Sequence, residues 1–376
     1  MQPQMTIPEY RIPSHLRKYF RHKTCGSCYV CHLVRVFRGV KRVLRDDGVL
    51  WLNIGDTYYG GKGASNYAFQ RRRTSSSEQK EYHNILAGKG EMRPQDAPHP
   101  FLKPKDLVGI PWRVSFALQA DGWYLRNAVV WHKPNTMPQS VKDRLTCSYE
   151  HIFLLTKSKK YFFDAEAIME DALTNVPCKT WKEKAYNQSM LNKKQRHGVK
   201  GRPSGVAGYS IRGKKNKRDV WTIPTKPGQW DFCYNCKTVY EGKQRRKIIK
   251  KGKLKVCPEC GCMDKWVDHF AMFPPDLVEP CILAGTSEKG CCPQCGAPWR
   301  RVVQKGESDS EQKWEPSCSC GDSLDPIPCT VLDLFCGSAN TGVVATKLGR
   351  IFIGIDIKDE YACLSRARLE NMGAMG

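Results

Sequence analysis

The residues VLDLFCGSANTG (331–342), followed by RIFIGID (350–356), decide the fold. Thr330 to Phe335 is a short apolar run broken by one acid, and it reads as a strand. Cys336 to Gly342 is a tight turn of small residues, after which Val343 to Leu348 begin a helix. Arg350 to Asp356 is a second strand ending in an acid, and Glu360 to Leu369 form a closing helix. Such a β–α–β unit holds its turn at the carboxyl end of a parallel sheet, where α/β proteins bind ligands. Gly337 lets a ligand approach the backbone, and helix-end N–H groups face it. Asp356, about 20 residues after the turn, can accept hydrogen bonds from a ribose diol. The pattern is that of a nucleoside-cofactor site. The plainer alternative is an ordinary turn in which Asp356 only caps the next helix.

Working outward, two upstream regions extend the α/β pattern. Leu33, Val36, Phe37, Val40, Val43 and Leu44 recur at helical spacing, with Arg35, Arg38, Lys41 and Arg42 between them. The turn Asp46-Asp47-Gly48 then delivers VLWLNI (49–54), a continuous apolar run expected of a buried parallel strand. Asn53 and Asp56, at its carboxyl end, are candidates to touch cofactor or base. Further on, Pro111 suits a first helical turn, Trp112, Phe116 and Leu118 are expected to be buried, and Gly122 stops the helix. Tyr124–Trp131 and His151–Thr156 read as strands around the polar loop HKPNTMPQSVKDR (132–144). His132, Lys133 and Asn135 either face the cleft or stabilise their own loop.

Composition narrows the class. The 376 residues suffice for a large core, and no apolar run approaches the roughly 18 residues of a membrane span. The opening MQPQMTIPEYRIP lacks the apolar centre of a secretory signal, so a cytoplasmic protein is expected. Its 19 cysteines should then be reduced and available to metal. Lys and Arg number 61 against 37 Asp and Glu, a net charge of +24 that calls for a polyanionic partner such as nucleic acid. Residues 179–218 hold 13 basic side chains against Glu183 alone, and residues 241–255 hold eight against Glu241. The first run reads as a long basic loop, and residues 60–95 as a polar insert.

Cys233-x2-Cys236 and Cys257-x2-Cys260, separated by 20 residues, fit a four-thiolate zinc ribbon with Cys262 as a spare ligand. Four thiolates leave no open coordination position, so the metal would be structural. Cys292-x2-Cys295 with Cys318-x-Cys320 could form a second site, Cys291 competing for its first position. Cys25, Cys28 and Cys31, with His32, could form a zinc knuckle. An iron–sulfur cluster or covalent haem attachment has less support, since neither a fourth thiolate nor an export signal is present.

VLDLFCGSANTG followed by FIGIDIKDEY (352–361) resembles the S-adenosylmethionine motif of the DNA amino-methyltransferases, whose usual form is D-P-F-x-G-S-G-T-T-G. FPPDLVEPCILAGTSEKGCCPQCG (273–296) resembles the segment that closes over the methionine end of the cofactor in that family. RVLRDDGVLWLNIGDTY (42–58), GWYLRNAVVWHKPN (122–135), HIFLLTKSKKYFFD (151–164) and RDVWTIPT (218–225) match further family segments, in the family's order. The resemblance spans His32 to Glu370 and is specific to enzymes methylating adenine N6 or cytosine N4, in the subgroup whose cofactor motif follows the catalytic half. It implies an α/β, Rossmann-like methyltransferase fold in circularly permuted order, with inserted zinc-ribbon elements. It also implies S-adenosylmethionine as cofactor, held by Asp333, Phe335, Gly337, Ser338, Thr341, Gly342 and Asp356, and double-stranded DNA as partner. Leu334, Ala339 and Asn340 depart from the motif but keep tolerable size.

The family's catalytic motif, Asp/Ser/Asn-Pro-Pro-Tyr/Phe, should precede the Leu33 helix, and the first 24 residues do not contain it. Pro274-Pro275-Asp276 is no substitute, because it belongs to the cofactor-closing segment. In the family, that motif's polar side chain and a proline-flanked carbonyl accept hydrogen bonds from the flipped base's amino group. Its aromatic ring stacks on the base, which aligns the nitrogen with the sulfonium methyl. No nucleophilic cysteine is needed, so Cys336 reads as a small buried residue. The absent strand should leave a gap at the sheet's centre. The chain is either an N-terminally incomplete copy, which the well-kept remainder favours, or a degenerate, catalytically silent DNA-binding paralogue.

The expected organisation is an N-terminal cysteine segment (1–31) and a catalytic half (32–170) carrying the insert 60–95. A basic target-recognition region (171–228) and a zinc-ribbon insertion (229–268) follow, the ribbon's basic 241–255 run contacting DNA. A cofactor-binding half (269–376) with a second cysteine knuckle (291–320) completes it.

Overall fold

The computed structural model describes residues 28–59, 102–171, 214–226, 230–251, 254–267, 272–302, 313–320 and 325–373. Cys25, the insert 60–95 and most of the 179–218 basic run lie outside them. The chain forms two compact units, 1–130 with 149–159 and 131–148 with 160–376.

In the first unit, helix α1 (Tyr29–Val43) buries Val30, Leu33, Val34, Phe37 and Val40. That i, i+3, i+4, i+7 stripe leaves Val36 and Val43 exposed, so the buried face is rotated from the one expected. Helix α2 (Ile110–Ala120) begins with Pro111 and buries Val114 and Leu118 completely. Trp112 and Phe116 lie one step round the helix and are about two-fifths exposed, contrary to expectation. Trp112 packs edge-on against His151 and Phe153, at ring separations of 4.8 and 5.2 Å. Two basic residues of α1 do local work. Arg38 donates twice to Asp121 (2.8 and 2.6 Å), and Lys41 reaches the carbonyls of Asp121 and Gly122 at the carboxyl end of α2, where a cation is favoured. Gly122, at φ 89°, ends that helix as the sequence suggests.

Strands β1 (Val49–Ile54), β2 (Tyr124–His132) and β3 (Tyr149–Thr156) share a sheet in the order β1-β3-β2. β1 pairs antiparallel with β3, from Val49↔Thr156 to Ile54↔His151. The expectation of a parallel, fully buried strand is therefore corrected: only Leu52 of β1 is buried. An apolar run fixes neither strand direction nor how much of each face is covered.

The second unit begins with the last residues of β2, where β6 (Val220–Thr222) lies alongside, preceded by the short antiparallel pair β4 (Glu170–Asp171) and β5 (Lys214–Lys215). β7 (Trp230–Cys233), β8 (Thr238–Glu241), the hairpin β9 (Ile249–Lys251) and β10 (Leu254–Val256), and β11 (Trp266–Val267) build a small antiparallel subdomain. Helix α3 (Pro275–Gly285) and the hairpin β12 (Arg300–Val302), β13 (Lys313–Glu315) lead to the β–α–β unit. There β14 (Thr330–Asp333) pairs in parallel with β15 (Ile351–Gly354) across helix α4 (Asn340–Lys347), and α5 (Asp359–Glu370) closes the chain. α3 and α4 join through Val278, Ile282, Val344 and Ala345, while Leu364 and Ala367 of α5 pack on Trp230, Phe232 and Val239. Among the described residues β15 is the only ladder partner of β14, and Leu332, Ile353 and Ile355 are exposed on the pair and just after it. No helix of the described residues is long and apolar enough to cross a membrane.

Candidate cofactor loop and cysteine clusters

The turn after β14 is tied at both ends by carboxylates. Asp333 accepts the Phe335 N–H (3.0 Å) on one oxygen and the Thr341 hydroxyl (2.6 Å) on the other. Asp356, just past β15, accepts the Gly337 N–H (2.9 Å) on one oxygen and the Lys358 N–H (3.0 Å) on the other. It therefore pins the turn to the segment that leads into α5, whose own first turn has no side-chain cap. Gly337 has φ 51°, a left-handed conformation suited to glycine. Ala339 adopts φ 57° without that freedom.

The structure divides the seven expected cofactor residues. Asp333, Phe335, Gly337, Thr341 and Asp356 gather at the turn, and Phe335 is 61% exposed. Ser338 and Gly342 face inward. The Ser338 hydroxyl lies 2.8 Å from the Met272 sulfur. A Cβ on Gly342 would stand 2.6 Å from the Phe352 ring, so this glycine serves helix–strand packing. Cys336 is buried, and burial pushes its thiol pKa up, which suits a small core residue. The set fits a nucleoside cofactor: two carboxylates, a glycine backbone, a helix N-terminus and one exposed ring. Asn340 and Arg368 were not legible as site residues. Asn340 Nδ2 donates to the Phe273 carbonyl (2.8 Å), tying α4 to the segment before α3. Arg368, spaced like any helix cation, reaches the turn only through the fold.

Both cysteine tetrads assemble. The Sγ atoms of Cys233, Cys236, Cys257 and Cys260 lie within 4.8 Å of one another, as do those of Cys292, Cys295, Cys318 and Cys320. In the first tetrad two sulfur pairs are 3.6 and 3.5 Å apart. Tetrahedral zinc with Zn–S bonds of 2.3 Å needs edges of about 3.8 Å, so the donor set fits a structural ion. Hydrogen bonds from the Asn235 side chain and the Cys262 backbone hold the Cys260 thiol down to about 6, while burial pushes the neighbouring Cys233 and Cys236 thiols up. Backbone N–H groups of Cys295 and Gln294 bring Cys292 to about 7. Cys262 instead accepts the Cys257 N–H on its carbonyl and points its thiol at Asp264. Cys291 bridges to Ile327 through its backbone, and Cys292 is the one of the two whose sulfur joins the cluster. Of the N-terminal cluster, Cys28 and Cys31 are described, with sulfurs 3.3 Å apart at the start of α1.

Other candidates serve the scaffold. Asn53 donates to Glu150 and to the His151 carbonyl. Asp56 accepts the N–H groups of Thr57 and Ile110. His132 meets the Thr222 hydroxyl, Asn135 exchanges hydrogen bonds with Thr225, and Lys133 lies over the Trp131 ring at 4.3 Å. Part of the basic 241–255 run is also committed internally, since Arg245 (2.6 Å) and Lys255 both bind Asp231.

Residues 18–296 and 322–366 match a family model described as DNA methylase, of the N6/N4 type. The chain is 33% identical over 342 residues to the Type II methyltransferase M.SmaI of Serratia marcescens, covering 91% of this chain and 74% of the relative. It is likewise 33% identical over 342 residues to M.Cfr9I of Citrobacter freundii, covering 91% and 71%. Among solved structures it is similar to the PvuII DNA methyltransferase (cytosine-N4-specific), at 15% identity and a TM-score of 0.43 over 93% of this chain and 74% of that one. With more than half its length in the family model, and two relatives at 33% identity, the chain belongs to the N6/N4 amino-methyltransferase family of DNA methylases.

Proposed function

We propose that this chain transfers a methyl group from S-adenosylmethionine to the exocyclic amino nitrogen of adenine (N6) or cytosine (N4) in double-stranded DNA. The observation that carries the proposal is the family match through both halves of the chain. The β14–α4–β15 unit, formed over the segment that resembles the family's cofactor motif, supports it. The bound cofactor supplies an electrophilic methyl group on a sulfonium. Asp356 is the ribose partner, and Asp333 keeps the turn in shape through Phe335 and Thr341. Phe335 offers an exposed ring to the cofactor's base. An amino nitrogen held in line with the methyl can attack directly, so the chemistry asks for no enzyme nucleophile. Exposed basic side chains meet the DNA phosphates. The two cysteine tetrads hold structural zinc, which suits their donor sets. Its relatives' names as Type II methyltransferases support a place beside a restriction enzyme.

Purified chain incubated with methyl-labelled S-adenosylmethionine and unmethylated DNA is expected to label the DNA. Nucleoside analysis then reads N6-methyladenine or N4-methylcytosine. Unlabelled DNA, with cofactor binding measured on the same preparation, would overturn the transferase reading and leave a silent relative that binds its ligands.

A further inference from the structure

Arg368 of α5 is the one side chain that joins the cysteine ribbon to the cofactor turn among the described hydrogen bonds. It is 8% exposed and therefore a charge removed from water. Its Nε donates to Glu241 Oε1 on β8 (2.7 Å). Its Nη1 donates to the Ser338 carbonyl and to Asn340 Oδ1 (2.9 Å), and its Cζ lies 5.7 Å from the centre of the Trp230 ring. A desolvated guanidinium needs every one of its acceptors, and its fixed fork leaves little freedom to seek others. The position of Glu241 therefore constrains where the guanidinium meets Ser338 and Asn340. Those acceptors flank Ala339, whose left-handed backbone at φ 57° persists only where its surroundings over-determine it.

Glu241 is in turn set by the cysteine tetrad. β8 also carries Thr238, whose hydroxyl lies 3.3 Å from the Cys236 sulfur, and Tyr240, whose hydroxyl lies 3.1 Å from the Cys257 sulfur. Pairing of β8 with β7 places Thr238 opposite the ligand Cys233 and Glu241 opposite Trp230. One short strand thus touches the metal-ligating sulfurs at one end and Arg368 at the other.

We infer that Arg368 is a positioning residue that couples the metal-loaded ribbon to the cofactor turn, so that zinc in the Cys233/Cys236/Cys257/Cys260 site strengthens S-adenosylmethionine binding. The inference rests on the cofactor reading of the 336–342 turn. R368K keeps the charge and loses the fork, C260S breaks the tetrad at its exposed ligand, and E241Q changes one partly exposed carboxylate. Calorimetric titration with S-adenosylmethionine should show affinity about tenfold weaker in R368K and in C260S, with a smaller loss in E241Q. The R368K/C260S double variant should be no weaker than the weaker single variant, because both cut the same linkage. Linkage is reciprocal, so saturating cofactor should raise the ribbon's zinc affinity by the same factor, and R368K should abolish that gain. A purely structural arginine would not produce this reciprocity. Unchanged affinity in R368K, or additive losses in the double variant, overturns the inference alone. An unsubstituted, zinc-loaded chain that does not bind S-adenosylmethionine overturns the cofactor reading beneath it.

Discussion

At the scale of the residue, two aspartates carry separable loads. Asp333 uses both oxygens to hold the turn, one on the Phe335 N–H and one on the Thr341 hydroxyl. Hydrogen bonds to a charged group contribute about 1.5–3 kcal/mol each, so D333A should cost cofactor affinity by roughly thirtyfold or more. Titration with S-adenosylmethionine reads this, and wild-type affinity would refute the site. Asp231 is buried beneath Arg245 and Lys255. Burial pushes its pKa up, but hydrogen bonds from Lys255 and Arg245 prevail and hold it below the ordinary carboxylate value. A depressed carboxylate stabilises the fold above its unfolded pKa, about 3.9, and loses that contribution as pH falls through the folded value. D231N should therefore lower stability by about 1–2 kcal/mol near neutrality, less than a fully buried pair because both cations keep contact with water. The gap in melting temperature between wild type and D231N should hold from pH 8 to about 5 and close only below about 4. A gap that closes near pH 6 would assign the effect to the cysteines instead.

At the scale of the element, the ribbon strands are only two to four residues long, and the sulfur tetrad offers a site for a cross-link beyond their packing on α5. The chain should carry two zinc ions, one for each tetrad, and C257S should release one of them. Metal analysis giving fewer than one zinc per chain would remove the ribbon assignment. These elements also show where sequence was informative. Three Cys-x2-Cys pairs and one Cys-x-Cys pair named all eight sulfurs of the tetrads, because each pair's geometry is local to one tight turn. The β–α–β unit was legible to within a few residues, since small residues at a turn and apolar runs beside it are also local signals. Direction and exposure were not. β1 runs antiparallel and half-buried, and Trp112 stays about two-fifths exposed, because both depend on neighbours brought in from far along the chain. Arg368 was invisible for the same reason: its acceptors on β8 and in the turn precede it by 127 and 28–30 residues.

At the scale of the whole molecule, the net charge of +24 favours a polyanion such as the proposed DNA substrate, but the basic residues are not equivalent. Lys217 and Arg218 face Glu170, Lys226 faces Asp276, and Arg245 and Lys255 face Asp231. Such side chains add to the far field while their near contacts are already taken. Arg246 and Lys247 stand beside Arg245 on the same short helical turn and are exposed. Each phosphate contact releases condensed counterions, so the logarithm of the binding constant falls against the logarithm of salt with a slope near −0.9 per contact. R246Q/K247Q should make that slope shallower by roughly two contacts and weaken binding similarly for all sequences. R245Q should leave the slope nearly unchanged and lower the ribbon's stability, since its partner is Asp231. Fluorescence anisotropy on a labelled duplex across a salt series separates the two outcomes. An unchanged slope in R246Q/K247Q would remove the ribbon from the DNA-binding surface and leave that task to other basic residues.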